Sequence, residues 1–244
     1  MLLGPTMGAV MYAAVSQDLR SARTALRNSH PKPNGHVHRL NRQLAPGQHI
    51  FFESDPARFV YKVRSGVLRL TRTQRDGRRQ VIAFGFPGDI VGLPCAGRHT
   101  TECDAITSAE VSARRCDPLD HPESDPKLHS LLVTAALDEI RFLQDHFLIF
   151  GRRRASEKVA AFLILLLDRV GEAADDRHLV RLPMNRSDIA DYVGLTPETV
   201  SRSITQLRAE KMIKLDDPNT IIVRDPDRLR ALAEGAQELV ADWS

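Results

Sequence analysis

The sequence predicts an α+β protein built from an N-terminal antiparallel β-roll, one long helix and a C-terminal winged helix-turn-helix. Three observations carry that reading. From about His38 to Cys116, turn signals recur at short spacing between runs rich in β-branched and aromatic residues. From Lys127 to Phe150 there is neither Gly nor Pro, and apolar residues fall at helical spacing. From Pro183 onward two short helices, joined by a very tight turn, are followed by two short apolar runs.

Composition bounds the answer without deciding it. The 244 residues carry 34 Lys+Arg against 31 Asp+Glu, a formal charge of +3, with 42% hydrophobic and 27% charged residues. That length supports one large domain or two small ones with real cores, and excludes a disordered tail or a peptide scaffold. A charge of +3 is too weak to announce a nucleic-acid partner by itself. Cys95, Cys103 and Cys116 form neither an even disulfide set nor a CxxC pair, so the cytoplasm is the expected compartment.

Residues 1–37 read as an N-terminal extension with a short helix, ended by the linker NSHPKPNGH. The first sixteen residues are uncharged but lack the basic start of a secretory signal, and Gly4 and Pro5 interrupt them. Met7 or Met11 is an alternative initiator. Val159 to Leu167, the longest later apolar run, is half of the roughly 18 to 20 residues a membrane span needs, so no membrane partner is expected.

Residues 38–121 form the roll. Its turns fall at Pro46-Gly47, Ser65-Gly66, Asp76-Gly77 and Pro87-Gly88-Asp89, between strands such as FVYKV, VLRLTRT and QVIAFGF. Asp76-Gly77 fits a two-residue type I′ hairpin with positive φ at both positions.

Residues 122–153 hold the long helix. Leu128, Leu132, Ala135, Glu139, Phe142, His146 and Ile149 step alternately by four and three, the spacing of a coiled-coil seam. At about 1.5 Å per residue the helix is about 36 Å long, which suits pairing with a second copy. A helix lying on its own roll is the alternative, since a Glu and a His interrupt the seam.

Residues 154–244 form the last domain, after Gly151 and the triplet Arg152-Arg153-Arg154, which is either solvated or in contact with phosphate. Its first helix buries Val159, Phe162, Leu163, Leu166, Leu167 and Val170 on one face. Asn185 then caps a helix with Asp188 at N3, Ile189, Tyr192 and Val193 make its buried stripe, and Gly194 ends it. Thr196 caps the next helix with Pro197 at N1. Val200, Ile204 and Leu207 face inward there, leaving Glu198, Ser201, Arg202 and Thr205 outward. Arg suits guanine O6 and N7, Glu the cytosine amino group, and Ser either kind of partner. From Pro197 to Leu215, Arg202, Arg208, Lys211 and Lys214 face only Glu198 and Glu210, so most of the positive excess sits on this motif. Asp216-Asp217-Pro218-Asn219 turns the wing hairpin.

Read in order, the roll, the seam helix and DIADYVGLTPETVSRSITQL resemble the CRP/FNR family of bacterial transcription regulators over residues 38 to 230. Glu198, Ser201 and Arg202 look like the E-x-x-S-R pattern of its FNR and FixK branch. The resemblance implies a cyclic-nucleotide-binding-like roll and a homodimer reading a TTGAT-like palindrome in double-stranded DNA. It implies base reading by Glu198, Ser201 and Arg202, phosphate contacts by Arg186, Thr196 and Thr199, RNA polymerase as a partner, and activation of low-oxygen or nitrogen-oxide genes.

Departures from the family bear on sensing. FPGDIVGLPCAGRHTTECDA keeps Gly92 but lacks the Glu and the Arg-Ser pair of members that grip a cyclic nucleotide, Arg98 being the nearest substitute. Cys116 matches one position of the iron-sulfur set, but no cysteine precedes Cys95, and three thiols cannot supply four thiolates. The expectation is therefore a FixK-like regulator with no cofactor and no metal, its candidate redox thiols Cys95, Cys103 and Cys116. The alternative is a haem- or nucleotide-binding sensor using the roll, with His30, His36 and His38 as potential ligands. An enzyme pairing Cys95 or Cys103 with His99 lacks a third orienting group and is not expected.

Overall fold

The computed structural model describes residues 40–116, 123, 125–174 and 177–235. The N-terminal extension, its short helix and His30, His36 and His38 lie outside the described residues.

Among the described residues eight strands build the roll: β1 (Leu40–Leu44), β2 (His49–Phe51), β3 (Phe59–Ser65), β4 (Leu68–Thr73), β5 (Arg79–Gly85), β6 (Ile90–Val91), β7 (Glu102–Ala105) and β8 (Ala109–Arg115). They pair antiparallel in two sheets, β1-β8-β3-β6 and β2-β7-β4-β5, around a core that includes Leu44, Phe51, Val63, Leu68, Cys103 and Val111. Strand β3 carries apolar residues on both faces over its first half: Tyr61 and Val63 point into the roll, and Val60 packs outside it with Cys116, Leu128 and Leu132. The β3–β4 turn demands glycine. Gly66 has φ +78°, and a Cβ there would lie 2.3 Å from the Ser108 carbonyl oxygen.

The Asp76-Gly77 hairpin departs from the expected type I′ turn. Gly77 has φ +82°, but Asp76 is not among the described residues with positive φ. Gln74 N–H donates to Arg78 O at 2.8 Å and Gly77 N–H to Gln74 O at 2.9 Å, a three-residue loop with Gly in the bulge position. The Asp76 carboxylate explains the choice, since it accepts from the Arg78 N–H at 3.1 Å and from Arg78 Nε at 2.7 Å. Positive φ at two successive residues occurs instead at Ala96 and Gly97, between Cys95 and Arg98.

The long helix α1 spans Pro126–Gly151, capped by the Asp125 side chain, which accepts from Leu128 N–H at 3.0 Å. Its 26 residues are about 39 Å long. The expected seam is corrected here. Leu128 and Leu132 are buried against the roll, and His146 and Ile149 are buried toward the C-terminal part, so those four are used within their own chain. Ala135 is half-buried, while Glu139 and Phe142 are exposed. One residue further on, a rotation of about 100°, lies a cleaner row. Val133, Ala136, Ile140, Leu143, Phe147 and Phe150 keep the alternating spacing, are all apolar and are exposed or half-exposed. Among the described residues no helix is long and apolar enough to cross a membrane.

The C-terminal part comprises α2 (Ala155–Val170), β9 (Glu172–Ala174), β10 (Arg177–Arg181), α3 (Arg186–Val193), α4 (Pro197–Ala209), β11 (Ile213–Asp217), β12 (Thr220–Val223) and α5 (Pro226–Ala233). The wing hairpin β11–β12 is extended by β10 and β9, in the order β11-β12-β10-β9, a second hairpin that the charged stretch 171–181 did not advertise. Phe162, Leu163, Leu166, Ile189, Val200, Leu207, Ile221 and Leu229 form its core. That core does not stop at the domain boundary. Val81, Phe84 and Phe86 of the roll belong to it, with the Phe84 ring 5.4 Å from Tyr192 and 6.1 Å from Phe162.

Two buried histidines couple this packing to pH. His99 stacks on Phe51 at 3.8 Å, and its Nδ1 is buried with no hydrogen-bond partner among the described residues. Burial lowers its pKa, against a smaller opposing effect of Asp55. Burial also lowers the pKa of His146, against its hydrogen bonds to the Tyr192 and Ile82 backbones. Below about pH 6.5 the unfolded chain takes up protons that the folded imidazoles resist, so stability is full above that pH and is lost as pH falls through the depressed values. Thermal melts are expected to show Tm dropping as pH falls from about 7 to about 5. His99→Phe, which keeps a ring on Phe51, should flatten part of the drop, and an equal drop in variant and wild type would contradict this account.

Candidate nucleic-acid interface

The helix-turn-helix is fixed by its punctuation. Asn185 Oδ1 accepts from Asp188 N–H at 2.8 Å, and the Asp188 carboxylate accepts in return from Asn185 N–H at 3.4 Å, closing a capping box on α3. Gly194 ends α3 at φ +68°, and a Cβ there would lie 2.6 Å from Phe150 Cε1. Both the backbone and the crowding disfavour a side chain there. Thr196 Oγ1 then accepts from Thr199 N–H at 3.3 Å and shares a 3.0 Å hydrogen bond with Thr199 Oγ1, while Pro197 opens α4. Val200, Ser203, Ile204 and Leu207 turn inward. Ser203 is a polar member of this buried stripe that apolar periodicity missed.

Glu198, Ser201 and Arg202 are exposed together on the outer face of α4. The Glu198 carboxyl is held below the usual carboxylate range by its own backbone N–H and the Thr196 hydroxyl, with a further contribution from Arg202. It is therefore an acceptor at neutral pH. Ser201 Oγ donates to Pro197 O at 2.9 Å, so the hydroxyl presents its lone pairs outward. Thr199 and Arg202 border a cleft shared with Arg154, Ser156, Gln206 and Glu210, which brings one member of the Arg triplet beside the outer face of α4. Arg152, by contrast, donates from Nη1 to Glu234 O at 2.9 Å. Arg186 stands apart from the α4 cluster. It is half-buried, which lowers its pKa, and its Nη2 donates to Pro218 O at 3.0 Å, tying the start of α3 to the wing turn. The wing turn is itself set by Asp217 Oδ1 accepting from Asn219 N–H at 2.7 Å.

The roll holds the other expected sites. Gly92 is walled in, a Cβ there lying 2.9 Å from Phe51 Cε1, 3.2 Å from His99 Cε1 and 3.3 Å from Tyr61 Cδ2. Arg98 is exposed, and its Nη1 bonds the Ser54 carbonyl at 2.6 Å. Of the three thiols, Cys95 is exposed while Cys103 and Cys116 are buried, and burial pushes the Cys103 thiol far up. The expectation of redox chemistry is thereby corrected for Cys103 and Cys116, because burial denies both access to an oxidant in solution. Among the described residues His99 Nδ1 has no partner that would orient the ring as a base for a thiol.

Sequence reasoning missed the contacts that hold α3 from outside. Arg69 of β4 and Arg79 of β5 both reach Asp188, and Arg79 also reaches Asp191 at 2.7 Å. These pairs join residues more than a hundred positions apart, and no local pattern signals them.

A roll coupled through a long helix to a winged helix-turn-helix, with Glu, Ser and Arg on the outer face of its second helix, defines a DNA-binding transcription regulator. Comparisons agree. Residues 157–232 match the Crp-like helix-turn-helix domain, and residues 41–117 match the cyclic nucleotide-binding domain. The chain is 40% identical over 192 residues to the transcriptional activatory protein AadR of Rhodopseudomonas palustris, covering 78% of this chain and 80% of that one. It is 40% identical over 191 residues to the nitrogen fixation regulation protein FixK of Bradyrhizobium diazoefficiens, with the same coverage of both. The structure of FixK2 from Bradyrhizobium japonicum superposes with a TM-score of 0.74 at 34% identity, covering 80% of this chain and 98% of that chain. The chain belongs to the CRP/FNR family and is similar to its FixK-type regulators.

The turn itself can be tested by denaturant unfolding. Thr196→Ala removes the cap of α4 and is expected to cost about 0.5 to 2 kcal/mol. Gly194→Ala adds the clash with Phe150 to the strain of positive φ and should cost more than about 1 kcal/mol.

Proposed function

We propose that the chain is a homodimeric transcription activator of the FixK type, acting in the cytoplasm on low-oxygen or nitrogen-oxide genes by reading a TTGAT-like palindrome. The observation that carries this reading is the outer face of α4. There an ionised Glu198, an outward-facing Ser201 and an exposed Arg202 meet solvent on the first turns of a rigidly capped helix. Arg202 reads guanine, Glu198 accepts from the opposed cytosine and Ser201 serves a neighbouring pair. Arg186, Thr196 and Thr199 contact phosphates, and the bound activator recruits RNA polymerase. Its relatives AadR and FixK, named as a transcriptional activator and a regulator, support this assignment over an enzymatic one.

Two features support function without cyclic nucleotide. The space beside Gly92 is taken by Phe51, His99 and Tyr61, and Arg98 is turned to Ser54 rather than into the roll. With two of its three thiols buried, the chain also has little to offer an iron-sulfur cluster. The dimer is supported by the largely exposed apolar row on α1, where Ile140 is 52% and Phe147 76% exposed.

Binding to a TTGAT-N4-ATCAA duplex tests the base reading. Glu198→Ala and Arg202→Ala should each lose about 1 to 3 kcal/mol on this duplex. Wild-type affinity in both variants would overturn the assignment. Arg186→Ala should weaken palindromic and random duplexes alike. Ile140→Glu places a charge on the α1 row and is expected to shift sedimentation from dimer to monomer. A dimer that persists in this variant would place the interface elsewhere.

A further inference from the structure

We propose that the β-roll positions the DNA-reading helix: Arg69, Arg79 and Gln80 grip α3 and thereby set the separation and direction of the two α4 helices in a dimer. This deepens the function proposed above and rests on α4 being the reading helix.

The grip has two ends. At the N-terminal end of α3, the Asp188 side chain is only 2% exposed. It accepts from Arg69 Nη1 and, at 2.9 Å, from Arg79 Nη2, besides closing the capping box with Asn185. One turn later Asp191 accepts from Arg79 at 3.0 Å through Nε and 2.7 Å through Nη2. Arg69 does not swing freely to make its contact. Asp104, its direct cross-strand neighbour on β7, holds the guanidinium through bonds of 3.1 and 2.7 Å and leaves Nη1 directed at α3.

At the C-terminal end, a helix leaves its last carbonyls without intrahelical donors. Here three successive ones are each taken by a different part of the molecule. Asp191 O accepts from Gln80 Nε2 of the roll, Tyr192 O from His146 Nε2 of α1 at 2.6 Å, and Val193 O from Lys158 Nζ of α2 at 3.4 Å. A further tie joins the roll to α2, Arg169 Nη2 lying 2.6 Å from both oxygens of Asp89.

The winged helix does not need these charges to complete its core, which Leu166, Leu207, Ile221 and Leu229 fill. Buried ion pairs add little net stability because desolvation offsets their attraction, but they do fix geometry. The tight turn at Gly194 makes α3 and α4 one rigid piece, so orienting α3 orients the reader. Two recognition helices must meet grooves about 34 to 36 Å apart, and each base pair inserted between half-sites shifts the target by about 3.4 Å. A held reader discriminates among spacers; a released one tolerates them.

The test uses the full chain and duplexes with two TTGAT half-sites separated by three, four or five base pairs. Arg79→Gln and Asp191→Asn are each expected to narrow the preference for the best spacer by roughly fivefold or more, the double variant adding little. Discrimination against a base change inside one half-site should stay at the wild-type value, which a general loss of stability would not produce. Arg79→Lys keeps the charge but not the fork to two carboxylates, and should narrow the preference too. Amide exchange in α3 should quicken in the same variants without DNA. Wild-type spacer preference in Arg79→Gln and Asp191→Asn would overturn the proposal, as would effects that simply add in the double variant. A wild type that binds the palindrome no tighter than random duplex would overturn the base-reading assignment itself and the positioning role with it, so the two failures are told apart.

Discussion

The carboxylate of Asp188 is the contact on which the arrangement of the molecule turns. It caps its own helix, and it is buried under two guanidinium groups that belong to another domain. With both guanidinium partners it is compensated, and only the loss of Arg69 and Arg79 together would leave a buried ion without a counter-charge, at a cost of about 3 to 5 kcal/mol. The same residue therefore answers to local and long-range requirements at once: α3 needs it at N3, and the roll needs it as the counter-ion of Arg69 and Arg79.

Rigidity passes from there to the surface that faces DNA. α3 is joined to α4 by a turn whose positive φ at position 194 favours glycine, and α4 starts on a threonine cap. Little of the path from Asp188 to Arg202 can bend. On the proposed reading this suits a protein whose net charge is only +3, since weak non-specific attraction leaves affinity to a few well-placed base contacts.

The roll takes on a different character in this light. Val81 and Phe84 of its strand β5, with Phe86 just beyond it, join the core of the C-terminal part. The region around Gly92, where relatives with the full cassette hold a nucleotide, is packed by Phe51, Tyr61 and His99. On the proposed reading, a domain filled in this way is a scaffold for the reader.

The sequence by itself determined what depends on local chemistry. The capping box of Asn185 and Asp188, the glycine stop, the Thr-Pro start and the outward Glu198, Ser201 and Arg202 were all legible, because caps, positive φ and helical periodicity act over a few residues. The alternation of four and three along α1 was legible too, but not which of two rows one residue apart faces outward. Both rows are largely apolar, and the choice is made by Val60 and Cys116 of the roll at one end and Tyr192 at the other. The turn at Asp76 was misread because its carboxylate found Arg78, which stabilises a three-residue loop over a two-residue one. Only the tertiary structure decided that Arg69, Arg79 and Gln80 close on α3. An isolated arginine on a strand carries no mark of its partner, and ion pairs across more than a hundred residues exist only once packing has brought two surfaces together and excluded water between them.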